Sequence, residues 1–127
     1  MGLSIGILVS AINVSAYGRQ YTFHMNTPFA SDNSNCVVSA VKGDIERKSY
    51  ITMTKFDIHG GSPEIAMWVA AKGSCEKLTD VWTWRSTAPP VALEYHPDVI
   101  VKSGIIYQLC AEQFGNGSVT FEGRWAP

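Results

Sequence analysis

Charge is scarce in this chain. Asp, Glu, Lys and Arg make up 17% of its 127 residues, and the formal net charge is −1. An average soluble protein carries about 25% charged residues. With 46% of the chain hydrophobic, a disordered tail, a polybasic nucleic-acid arm and an acidic mimic are all excluded. Leucine is just as thin, with five residues, so amphipathic helices would lack their usual core filler. Only three cysteines occur, Cys36, Cys75 and Cys110, with no C-x-x-C spacing. That argues against a disulfide scaffold and a zinc ribbon. No Gly-rich phosphate loop ahead of a helix is present.

What the chain does have suits strands. Valine, isoleucine, threonine and the aromatics number 43, and such side chains fit a pleated surface. Leu3, Ile5, Ile7, Val9 and Ala11 alternate with Gly2, Ser4, Gly6 and Ser10, Leu8 being the exception, so a strand is expected over 2–12, with an interface or arm role open to it. The alternative reading of residues 3–16 is a signal peptide ending at Val14-Ser15-Ala16. The missing basic residues and the interruptions by Ser4, Gly6, Ser10 and Asn13 favour the strand, and the stretch is too short to span a bilayer. A second alternation puts Tyr17, Tyr21, Phe23 and Met25 on one face and Gln20, Thr22 and His24 on the other.

A polar loop is expected over 26–35. Strands follow near 36–42, 49–58, 80–86, 91–96, 98–101, 104–112 and 118–124. Asn116-Gly117 is the strongest hairpin signal and Gly60-Gly61 a second turn. Residues 62–72 are ambiguous. Ser62-Pro63-Glu64 resembles a helix start, yet Ile65, Met67, Val69 and Ala71 line a strand face; the strand is favoured because every neighbour is one. The pattern predicts one all-β domain over 1–127, an antiparallel β-sandwich or jelly roll of about eight to ten strands.

Candidate chemistry is sparse. The favoured reading of the cysteines is three free thiols in a reducing compartment, with Cys36 and Cys110 packed in apolar strands as small hydrophobes; the alternative is one bridge plus a free or intermolecular thiol. His24, His59 and His96 show no ligand spacing, so no metal and no cofactor is expected. His96-Pro97-Asp98 could serve a Ser-His-Asp site only by accident of fold, and the expectation is that the chain is not an enzyme. The sequons at Asn13 and Asn116 read as chance. Lys42, Asp44, Glu46, Arg47 and Lys48 read as a solvated loop of alternating sign, which does not suit nucleic acid. Trp82 and Trp84, two apart, point the same way and form either a core pair or a stacking platform. With Trp125 they are the candidate partner-binding residues.

The stretch Val91-Ala92-Leu93-Glu94-Tyr95-His96-Pro97-Asp98-Val99-Ile100-Val101-Lys102-Ser103-Gly104-Ile105-Ile106-Tyr107, followed by Gly117-Ser118-Val119-Thr120-Phe121-Glu122-Gly123-Arg124-Trp125, has the cadence of small jelly-roll proteins on virus particles. It resembles the head decoration, or cement, proteins of tailed phages. The resemblance covers about 35 residues of cadence and transfers no functional residue. It implies a structural virion protein on the capsid surface, assembled in the host cytoplasm. Its partner would be the major capsid protein, it would form a homo-oligomer, with a trimer favoured, and neither nucleic acid nor membrane would be bound. The alternative is a carbohydrate- or receptor-binding sandwich module.

Overall fold

A computed structural model describes residues 19–29 and 34–127. The strand expected over 2–12 and the candidate cleavage site lie outside them. The described chain is all β. Its strands are β1 (Tyr21–Asn26), β2 (Ser34–Val41), β3 (Lys48–Gly61), β4 (Glu64–Ala71), β5 (Trp82–Trp84), β6 (Ala88–Glu94), β7 (Ile106–Phe114) and β8 (Gly117–Ala126).

They form two antiparallel four-stranded sheets, β1-β8-β3-β6 and β2-β7-β4-β5. First pairs with last, second with seventh, third with sixth and fourth with fifth. Cross-pairs β3–β8 and β4–β7 close each sheet. An antiparallel ribbon rolled up in this way is the jelly-roll wrap, so the expected fold class holds.

Alternation explains the core. Phe23, Ala40, Ile51, Met53, Ile65, Met67, Val69, Leu109, Phe121 and Trp125 point inward between the sheets and are buried. In β1 the split read from sequence is observed, with Phe23 buried and Thr22 and His24 exposed. Gly123 faces Phe23 across the β1–β8 pair, and a Cβ there would lie 2.6 Å from the Phe23 ring. The missing side chain is the space the ring fills. Pro89 and Pro90 sit on β6, an edge of the first sheet, at a shift in register with β3 where neither is paired.

Residues 62–72 resolve as strand. β4 is apolar on both faces: Ile65, Met67 and Val69 face the main core, while Ala66, Trp68 and Ala70 form a second cluster with Cys110. A strand covered on both faces reads as a continuous apolar run, which is what made it look helical. Ser62 and Pro63 form a corner instead of a helix cap.

The hairpin expected at Asn116-Gly117 is corrected. β7 and β8 lie in different sheets, so this segment is a corner where the chain changes layers. β3 and β4 turn the same corner alongside it, and the Ser62 N–H donates to the Asn116 carbonyl (3.0 Å). Gly115 and Gly117 have positive φ. A Cβ on Gly117 would lie 1.7 Å from the Gly60 oxygen, so the close approach requires glycine. The strand expected at 98–101 is also corrected: these residues belong to the β6–β7 loop. The one expected at 80–86 shortens to Trp82–Trp84.

Candidate functional site

The roll places the β2–β3, β4–β5 and β6–β7 loops at one end of the sandwich and the tight corners at the other. The three loops are tied together. The Tyr95 N–H donates to the Arg47 carbonyl (3.0 Å), His96 N–H to Leu78 (2.9 Å), Asp80 N–H to Glu94 (3.1 Å) and Lys42 N–H to Ile105 (2.9 Å). The Arg47 guanidinium clamps the β6–β7 loop, donating to the carbonyls of Val99 (2.9 Å) and His96 (2.8 Å). These bonds hold 98–101 as a loop, although its Val-Ile-Val composition favours a strand.

Lys42 anchors this end from within. It continues the inward parity of Val38 and Ala40 in β2, and it is fully buried. Its ammonium pairs with Asp44 (3.0 Å), donates to the Pro127 oxygen (2.6 Å) and lies 5.3 Å from the Tyr95 ring centroid. The reading of Lys42 as part of a solvated loop is therefore corrected; a buried cation persists only when paired like this. Tyr95 stacks at a tilt on Tyr107, with centroids 5.6 Å apart. Burial pushes the Tyr95 phenol far above its ordinary range, with Tyr107 and Asp44 acting in the same direction. Burial also raises Tyr107. Next to this node the Trp125 indole N–H donates to Ser49 Oγ (2.8 Å), which donates in turn to the Ala126 carbonyl (3.0 Å).

Outside the rigid base stand aliphatic side chains. Val41 and Ile106 are cross-strand partners, Ile105 follows the loop, and Ile45 and Ile100 are 72% and 75% exposed. Five of the nine exposed large apolar side chains among the described residues belong to this end. Bonds at neighbouring residues tie the loops that carry them: the Glu46 N–H donates to Asp44 Oδ1 beside Ile45, and Arg47 donates to the Val99 carbonyl beside Ile100.

The three tryptophans part company. Trp125 is fully buried on β8, and Trp84 is buried on β5, so a partner touches neither on this surface. Trp82 is 50% exposed. The pair shares a face as expected, but β5 is a three-residue edge strand and leaves its first side chain uncovered on one side.

A polar array covers the outer face of the first sheet. His24 Nδ1 and Glu122 Oε2 are hydrogen-bonded (2.9 Å), and Lys55 lies 3.6 Å from both Glu122 and Asp57. Thr120 Oγ1 donates to Asn26 Oδ1 (2.7 Å) and bonds His59 Nε2 (2.7 Å). The His24 hydrogen bond holds the Glu122 carboxyl below its usual range, aided by Lys55. Register brings His24 and Glu122 together across 98 residues of chain, a proximity no sequence spacing reveals.

The cysteines overturn the favoured reading of three free thiols. Cys75 and Cys110 form a disulfide, and Cys36 is free and exposed. The bridge pins the β4–β5 loop across the outer face of the second sheet. The Trp68 indole donates to the Cys75 carbonyl (2.8 Å), the Gly73 N–H donates to Gln108 Oε1 (3.0 Å), and the Gln108 amide donates to Ser74. Lys77 closes over the Trp68 ring at 4.3 Å.

Among the described residues no group of three His, Cys, Asp or Glu side chains is placed to hold a metal. Comparisons with protein-family models, curated proteins and solved structures found no match.

Proposed function

We propose that this chain is a structural binding protein of the capsid decoration kind, acting without catalysis by covering a surface on an assembled shell. The observation that carries the reading is the rigid loop end, with Val41, Ile45, Ile100, Ile105 and Ile106 held outward over a buried Lys42–Asp44 anchor. Exposed aliphatics on a preorganised backbone lose little entropy on docking, and the weak overall charge lowers the desolvation cost. The partner is the major capsid protein, the place of action is the capsid surface, and the assembly is a homo-oligomer, a trimer by the family resemblance. Binding only to the assembled shell would stabilise that shell by mass action.

Light scattering of the chain alone, then co-sedimentation with shells of the major capsid protein from the same genome, tests this. A trimer that saturates the shells is expected. A strict monomer that never co-sediments refutes the proposal.

A second reading, a carbohydrate-binding module, draws support from half-exposed Trp82 and from the polar array around Glu122 and Thr120. It expects quenching or a shift of tryptophan emission when glycans are added, abolished by Trp82→Ala. Unchanged emission across a glycan panel removes it.

A further inference from the structure

The three cysteines are far apart in sequence, yet the fold gathers them. Cys36 on β2 is the direct cross-strand partner of Cys110 on β7, and Cys110 is already bonded to Cys75. Directly opposed residues of an antiparallel pair point to the same face, with Cα atoms about 4.5–5.5 Å apart. That span lies within the ~4.4–6.8 Å that a disulfide bridges. Cys36 is exposed. Among the described residues its sulfur makes only long contacts, to Ser39 Oγ (3.7 Å) and the Val38 carbonyl (3.8 Å).

We propose that Cys36, Cys75 and Cys110 form an intramolecular thiol–disulfide exchange site, in which Cys36 displaces Cys75 from Cys110 and frees the β4–β5 strap of its covalent tie. Cys36 gives its proton to solvent, and the thiolate attacks the Cys110 sulfur. The Cys36–Cys110 bond forms as the Cys75–Cys110 bond breaks, and Cys75 leaves as a thiolate that takes up a proton. One disulfide and one thiol stand on each side of the step, so no external oxidant or reductant is needed.

The consequence is structural. In the Cys75–Cys110 form the strap covers Ala66, Trp68, Ala70 and Cys110, a small apolar cluster outside the main core. In the Cys36–Cys110 form the edge strand β2 is stapled to its neighbour β7, and the strap keeps its non-covalent ties: the hydrogen bonds of Trp68 and Gln108, the Lys77–Trp68 contact, and the bonds that Leu78 and Thr79 make to Val69. The exchange therefore moves a covalent tie from a loop to the sheet and frees a thiol on that loop. It does not depend on what the loop end binds.

The test uses the full chain, purified without reductant and held in mildly alkaline buffer for increasing times. Samples are quenched in acid, alkylated with a maleimide and digested, and the linked and labelled peptides are read by mass spectrometry. The expected result is two populations. One carries label on Cys36 with a Cys75–Cys110 link, the other label on Cys75 with a Cys36–Cys110 link, in proportions independent of protein concentration. Cys36→Ser should show the Cys75–Cys110 link alone. Label confined to Cys36 at all times, or a Cys36–Cys110 link that grows with protein concentration, overturns the proposal. As a second arm, Cys75→Ser in a glutathione redox buffer should join Cys36 to Cys110. A Cys75→Ser variant with the wild-type circular dichroism and two free thiols in that buffer also overturns it.

Discussion

Lys42 is the residue on which the loop end turns. Its partners are a carboxylate and a main-chain oxygen, so Lys42→Ala leaves Asp44 facing an emptied, low-dielectric pocket. Breaking a buried pair costs about 3–5 kcal/mol. Asp44 keeps some solvent contact, with 24% of its side chain exposed, so a loss near 3 kcal/mol is expected from the denaturant midpoint. Tyr95 should behave in the opposite way. Its hydroxyl is buried without a hydrogen-bond partner among the described residues, so Tyr95→Phe removes an unsatisfied group while keeping the ring. Stability at neutral pH should be unchanged or higher by about 1 kcal/mol. The same residue sets an alkaline limb. Its folded pKa is raised above the ordinary 10.0, so its contribution is full below about pH 10 and is lost as pH rises toward the folded value. Alkaline unfolding should therefore be shallower in Tyr95→Phe. Glu122 works at the other extreme, because His24 lowers its pKa from 4.5. Its contribution is present above the ordinary glutamate range and is lost as pH falls through the lowered value. Glu122→Gln should flatten the acid side of the stability profile, and only slightly, because the pair is exposed.

At the scale of elements, the corner where β3–β4 and β7–β8 change sheets is the most demanding piece of backbone. Gly117→Ala forces a Cβ onto the Gly60 oxygen at positive φ, and a loss of about 2 kcal/mol or more is expected in thermal unfolding. Its neighbour Gly60 has open space, so Gly60→Ala should be mild and serves as the control. These glycines also show where the sequence was legible and where it stopped. Alternation located β1, β2, β3 and β8 to within a few residues, because each has one inward face; β7 was located as well, although Gln108 and Cys110 are buried on its other face. The inward parity of Val38 and Ala40 extends to Lys42, but the charged residues that follow it made that stretch read as a solvated loop. Gly60-Gly61 and Asn116-Gly117 declare a turn, but turn chemistry is local and does not say whether the next strand stays in the sheet. Val99-Ile100-Val101 has strand composition, yet the distant Arg47 side chain holds it as a loop. The Cys36–Cys110 juxtaposition and the His24–Glu122 bond are products of register, and one unaligned sequence carries no register.

For the whole molecule, the roll sets two ends of different character. One end is corners that tolerate few side chains; the other is three interlocked loops presenting Ile45 and Ile100 to solvent. Low charge suits the proposed role, in which a partner covers this surface. If the loop end docks, changing its side chains should abolish binding and leave the fold intact, since Ile45 and Ile100 lie outside the buried core. The most direct measurement is co-sedimentation of wild-type chain and of the Ile45→Asp, Ile100→Asp double variant with assembled shells of the major capsid protein, after circular dichroism has matched the two. Saturable binding by the wild type and none by the variant is the predicted result; equal binding by both, or no binding by either, would contradict the account.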